Sequence, residues 1–146
     1  MPEFHFPSPS IMGILNITPD SFYDGGKYET SDKISLQVEK LVAEGAHMID
    51  VGAESSRPGS SNISVAEEID RLTKVIPVLK TFPNICFSID TWKTQVAEFA
   101  LSRGFKMIND ITGGGADGEM FMIAAKYTVP IVIMHMLGTP ETMQNN

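Results

Sequence analysis

The sequence predicts an α/β fold on a parallel sheet: about five strands and four helices of a (β/α)8 barrel. Three observations predict it. Apolar runs of strand length alternate with stretches of helical period over all 146 residues. The runs are continuously apolar, as expected for strands covered on both faces. Their starts, at 10, 47, 85, 106 and 130, average 30 residues apart. Eight such units would take about 240 residues, close to the roughly 250 of a complete barrel. Residues 1–146 are therefore expected to be the N-terminal portion of one barrel domain. An open, doubly wound sheet of five strands is the alternative, and length by itself favours it.

The expected strands are 10–15, 47–51, 85–89, 106–108 and 130–134. Ile34, Val38, Leu41 and Val42 recur with helical spacing, which predicts the first helix. Val65, Ile69, Leu72, Val75, Ile76 and Leu79 predict a longer second one. Val96, Phe99 and Ala100 mark the third, and Met120, Ile123 and Ala124 the fourth. Gly45 and Gly104 stand where helix C-caps belong. Strands that alternate with helices imply crossover connections of one hand and a parallel sheet.

Composition narrows the function classes. The chain is 42% hydrophobic, and no run approaches the roughly 20 apolar residues of a membrane span. The first ten residues have no basic n-region and no apolar h-region, so no signal peptide is read. One cysteine, Cys86, fits a reducing compartment, and a cytoplasmic location is expected. A net charge of −7 does not attract nucleic acid or an acidic membrane. Gly113–Gly115 lacks the spacing of a dinucleotide loop, and no serine sits in a nucleophile elbow. His5, His47 and His135 are too scattered for a zinc site, and Cys86, inside a strand, reads as core. Trp92 and Phe99 read as helix-face residues.

The chemistry lies beyond the C-terminal ends of the strands, where parallel α/β folds place their sites. The strands end in Asn16, Asp50, Asp90-Thr91, Asn109-Asp110 and His135. Four Asn or Asp residues after four successive apolar runs suggest a ring of hydrogen-bonding groups at one mouth. A carboxylate accepts two N–H donors from an amidine-like edge, and an amide offers one donor and one acceptor. Asp90 and Asn109 suit a flat polar heterocycle. The connections after the first two strands are long for βα loops. Asn16, Asp20 and Asp24 are hard oxygen donors suited to Mg2+, and the Arg57 fork suits phosphate or carboxylate.

ILNITPDSFYDGG at 14–26 and GAHMIDVGAESSRPG at 45–59 resemble the two long signatures of the dihydropteroate synthase family. Ser88-Ile89-Asp90-Thr91, Ile108-Asn109-Asp110-Ile111, and Met134-His135-Met136 with Gly138-Thr139-Pro140 resemble that family's next three strand ends. The resemblance implies condensation of (7,8-dihydropterin-6-yl)methyl diphosphate with 4-aminobenzoate, releasing diphosphate, in folate biosynthesis. Sulfonamides imitate the aminobenzoate. By matching motif positions, Asn16 would bind Mg2+. Asp90 and Asn109 would hold the pterin edge, with Asp50 and Met134 lining its pocket. Phe22, Ser56, Arg57 and Pro58 would shape the aminobenzoate site, Ser56 standing where Thr is frequent. Asp20 and Asp24 belong to the first loop that would close over the substrates. Asp90, Asn109 and Arg57 would carry the catalytic step. The resemblance further implies a homodimer, and cationic groups on later strands that this chain does not contain. Residues 1–146 alone are therefore expected to be inactive. Competing readings are a methyltransferase domain using methyltetrahydrofolate, which would not need the two long loops, and a non-catalytic half-barrel module.

Overall fold

The computed structural model describes residues 7–18, 30–54, 62–114 and 118–134. The strands are β1 (Met12–Asn16), β2 (Met48–Gly52), β3 (Cys86–Asp90), β4 (Met107–Asp110) and β5 (Ile131–Ile133). The helices are α1 (Thr30–Ala43), α2 (Val65–Thr73), α3 (Ile76–Thr81), α4 (Thr94–Ser102) and α5 (Met120–Tyr127). All strand pairs are parallel and the sheet order is β1-β2-β3-β4-β5.

That order decides between the two expected architectures. A doubly wound sheet reverses its strand order at a switch point, so that helices cover both faces. Here the order runs straight through, and the helices share one face. Leu15, Ile49, Val51, Phe87, Ile89 and Ile108 from the strands form one core with Ile34, Val38, Leu72, Val96, Ala100 and Met120 from the helices. A straight order with every helix on one side is the arrangement of a barrel wall, and the doubly wound alternative falls.

Among the described residues there are five helices where four were expected. The apolar period runs unbroken from Val65 to Leu79, yet α2 ends at Thr73. Pro77 explains the break. Its ring would clash with the carbonyl four residues back, that of Thr73, and it has no N–H to donate there. Tight turns close the gap, with Lys74 N donating to Arg71 O and Val75 N to Leu72 O. Pro77 then falls in the first turn of α3, where a missing N–H is harmless.

Helix ends follow the sequence elsewhere. Gly45 (φ +103°) and Gly104 (φ +118°) take left-handed conformations just past α1 and α4. Gly45 N donates to Val42 O and Ala46 N to Leu41 O; Gly104 N and Phe105 N repeat the pattern on Leu101 O and Ala100 O. These paired bonds satisfy carbonyls that the helix would leave bare. No helix among the described residues is long and apolar enough to cross a membrane.

The inner face, opposite the helices, is layered by the register. Its lowest layer joins Met12, Met48 and Cys86, with Met107 packed beside them. The next aligns Ile14, Asp50 and Ser88, with Met107 paired to Ser88. The uppermost aligns Asn16, Gly52, Asp90, Asn109 and Val132. Cys86 is core, as expected, and burial pushes its thiol up to about 11.

Candidate active site

The uppermost inner layer forms the rim. Parallel pairing brings Asp90 beside Asn109, and Thr91 N donates to Asn109 O at 3.2 Å. Ile17 N donates to Gly52 O at 2.9 Å, which extends the β1–β2 pairing just past Asn16. Gly52 supplies space rather than chemistry. A Cβ there would lie 3.3 Å from Asn16 Oδ1 and 3.3 Å from Asp90 Oδ2. The missing side chain keeps a gap open between an amide oxygen and a carboxylate oxygen. Sequence reasoning missed this role of Gly52, which depends on the register.

Asp50 does not share that rim. Because Asn16 pairs with Gly52, Asp50 pairs with Ile14 one layer deeper, and it is buried. The expected ring of four is three rim groups over a sunken carboxylate. Asn109 Nδ2 donates to Asp50 Oδ2 at 2.8 Å, reaching diagonally across β3. Only the NH2 of an amide can donate to a carboxylate, so this bond fixes which way the Asn109 amide faces. That orientation turns its carbonyl oxygen away from Asp50.

The electrostatics separate the carboxylates. Burial drives Asp90 upward, reinforced by the negative charges of Asp50, Glu68, Asp110 and Glu54, to about 7. Burial also raises Asp50, against the opposing influence of the adjacent Ser88 hydroxyl and the Asn109 amide. Strongly shifted acids inside one mouth are a recurrent mark of functional sites. Asp110 faces the other way: its Oδ1 accepts from Thr112 N and Oγ1, and its Oδ2 from Gly114 N. It builds the turn after β4.

A second group went unread in the sequence. Lys93 is buried, and its Nζ donates to Glu54 Oε2 at 3.0 Å, Glu68 Oε2 at 2.7 Å and Ile63 O at 2.9 Å. Glu54 Oε2 also accepts from Trp92 Nε1, and Glu54 Oε1 from Ile63 N. Trp92 is thus a hydrogen-bonding residue just before α4 rather than a member of the helix face. Arg71 Nη1 donates to Ala53 O at 2.7 Å. The network ties the top of β2 and the start of α2 to the top of β3. Its partners lie 25 and 39 residues from Lys93, and no local motif announces them.

Among the expected site residues, Asn16, Asp90 and Asn109 meet at the rim, and Asp50 lies beneath. Met134, 41% exposed, follows β5 on the same side as the rim, its N donating to Asp110 O. Asp20, Phe22, Asp24, Ser56, Arg57 and Pro58 lie outside the described residues, as do Gly115 and His135. For Mg2+ the donor set fits in one way. No group of three or more His, Cys, Asp or Glu that could hold a metal occurs among the described residues. Asn16 offers a single hard oxygen beside the Gly52 gap, and Mg2+ commonly takes few protein ligands beside waters and substrate phosphate.

Known proteins share this architecture. The chain is 51% identical over 126 residues to the dihydropteroate synthase of Streptococcus pyogenes, covering 86% of this chain and 47% of that relative. It resembles the crystal structure of the Clostridium difficile dihydropteroate synthase in the presence of pteroic acid, with TM-score 0.81 and 44% identity. That match covers 88% of this chain and 49% of the other. The Xanthomonas albilineans dihydropteroate synthase with 4-aminobenzoic acid matches with TM-score 0.80 and 39% identity, covering 89% of this chain and 47% of the other. The chain spans about half the length of the curated relatives it matches. A family model described as pterin binding enzyme matches residues 12–146, from the first residue of β1 through every strand of the rim, and the chain belongs to that family.

Proposed function

We propose that this chain supplies the pterin-holding wall of a dihydropteroate synthase, the condensation of dihydropterin diphosphate with 4-aminobenzoate. The observation that carries the reading is the rim itself. Asp90, whose Oδ2 borders the Gly52 gap, stands in register beside Asn109, whose NH2 is engaged by Asp50. Side by side they match one edge of a pterin: Asp90 can accept the ring N–H and one amino hydrogen, and the Asn109 carbonyl the other amino hydrogen. The relatives at 44–51% identity point the same way.

In this mechanism Asp90 accepts two N–H donors and faces the positive charge that grows on the ring as diphosphate departs. Preorganised charge of this kind is a large contributor to catalysis. Asn109 orients the ring through its carbonyl. Met134 lines the pocket, and Asp50 holds Asn109 from below. Asn16 would hold Mg2+, which when bound neutralises charge on the leaving diphosphate. Arg57, with Phe22, Ser56 and Pro58, contacts aminobenzoate, and Asp20 and Asp24 act on the first loop. The aniline nitrogen attacks the carbon that diphosphate leaves, so no protein nucleophile is required. The reading includes a cytoplasmic setting, in keeping with one buried thiol, and a homodimer.

The test joins this chain to the remaining half of the Streptococcus pyogenes relative. Diphosphate release should require both substrates and Mg2+, and Asp90→Asn should reduce it at least tenfold. A folded chimera that binds neither substrate would overturn the reading.

A further inference from the structure

Two polar atoms beneath the rim, Asp50 Oδ1 and Ser88 Oγ, meet no partner at full hydrogen-bond geometry, although the Ser88 hydroxyl lies close enough to lower the Asp50 carboxyl. Both are buried, with Ser88 fully enclosed and Asp50 2% exposed. They belong to residues paired in register on neighbouring strands and share the second inner layer. An orphaned buried hydroxyl beside an orphaned carboxylate oxygen is unfavourable for both groups. A hydroxyl hydrogen turns freely about its C–O bond and a small side-chain rotation re-aims the oxygen, whereas Asp50 is already fixed through Oδ2. The bond from Asn109 to Asp50 passes across β3 between Ser88 below and Asp90 above.

We propose that Ser88 is a positioning residue: its hydroxyl donates to Asp50 Oδ1 and locks a Ser88–Asp50–Asn109 chain that presents only the Asn109 carbonyl to the ligand. The inference rests on the pterin reading of the rim for its ligand, though not for the chain itself. Asp50 held by donors on both oxygens stays an acceptor, and Asn109 must then spend its NH2 on it. Without the Ser88 hydroxyl, one Asp50 oxygen is buried bare. A proton taken up there lets Asp50 donate to Asn109, the amide can turn over, and the rim then shows an NH2 where it showed a carbonyl. Ser88 thus sets the donor–acceptor pattern the mouth can read without touching the ligand.

The probes are 6-hydroxymethylpterin, which carries an amino group on the edge facing the rim, and 6-hydroxymethyllumazine, which carries a carbonyl there. The wild-type protein should prefer the pterin, and Ser88→Ala should narrow that preference about five- to tenfold. Ser88→Thr, which keeps the hydroxyl, should restore it. A lowered melting temperature with the preference intact would mark Ser88 as merely structural and overturn the proposal. The ligand-free protein provides a second readout, the NMR signals of the Asn109 side-chain NH2. Ser88→Ala should shift them and Ser88→Thr should not; unmoved signals in Ser88→Ala overturn the proposal. If the wild type binds neither probe, the pterin reading fails, and the Asn109 signals still decide the role of Ser88.

Discussion

Asp90 answers to two opposed requirements. In the proposed role of acceptor for N–H donors it has to be ionised, yet burial and four neighbouring carboxylates hold it near 7. The folded-state pKa exceeds the ordinary value of 3.8, so the folded chain binds more protons than the unfolded one between about 4 and 7. Stability therefore falls as pH rises through that window and levels off above it. Asp90→Asn should stabilise the ligand-free protein at pH 8 by on the order of 1–2 kcal/mol, read by denaturant unfolding. A pterin should bind progressively more weakly below pH 7, by up to about tenfold per unit, because binding must expel the proton. Thr128 is another residue under strain, a β-branched side chain at φ +52° closing α5. Thr128→Gly should raise stability by about 1 kcal/mol in thermal unfolding. Asp90 and Asn109 were legible because each directly follows an apolar run. The depth of Asp50, the gap at Gly52 and the position of Ser88 depend on which residue faces which, and register is a property of the assembled sheet.

At the scale of elements, the helical period between Val65 and Leu79 is real, and both α2 and α3 bury their share of it. Period alone hid the break that Pro77 imposes. The Lys93 brace was illegible for a different reason. Its meaning comes from Glu54 and Glu68, which the pairing of β2 with β3 and the packing of α2 against α4 bring near. Removing one partner of a buried ion pair leaves an uncompensated charge, a loss of about 3–5 kcal/mol. Lys93→Ala should destabilise by that much, measured by urea unfolding. It should also leave Glu54 and Glu68, whose charges already push Asp90 upward, without their counterion. The apparent pKa of Asp90, followed by carboxyl NMR, should then move upward. An unchanged unfolding midpoint in Lys93→Ala would mean that the network carries no net stability.

Over the whole molecule, one wall of a barrel is complete: helices outside, sheet within, and a rim of polar groups at the carboxyl ends of the strands. Among the described residues β1 and β5 each pair on one side only. Ile14, Val132, Ile133 and Met134 are exposed on or beside the sheet. The sequence spacing anticipated this architecture, since four units averaging 30 residues, with a fifth strand after them, match barrel repeats. It could not choose between a barrel wall and a doubly wound sheet, because that choice lies in strand order. The central claim is that the rim formed by Asn16, Gly52, Asp90 and Asn109 recognises a pterin edge. Calorimetric titration with 6-hydroxymethylpterin at pH 8, on the wild type and on Asp90→Asn, tests it most directly. Binding should be saturable and one-site, and should weaken tenfold to a hundredfold in Asp90→Asn, the worth of a charge-assisted hydrogen bond of roughly 1.5–3 kcal/mol. Equal affinity in the two proteins would contradict it.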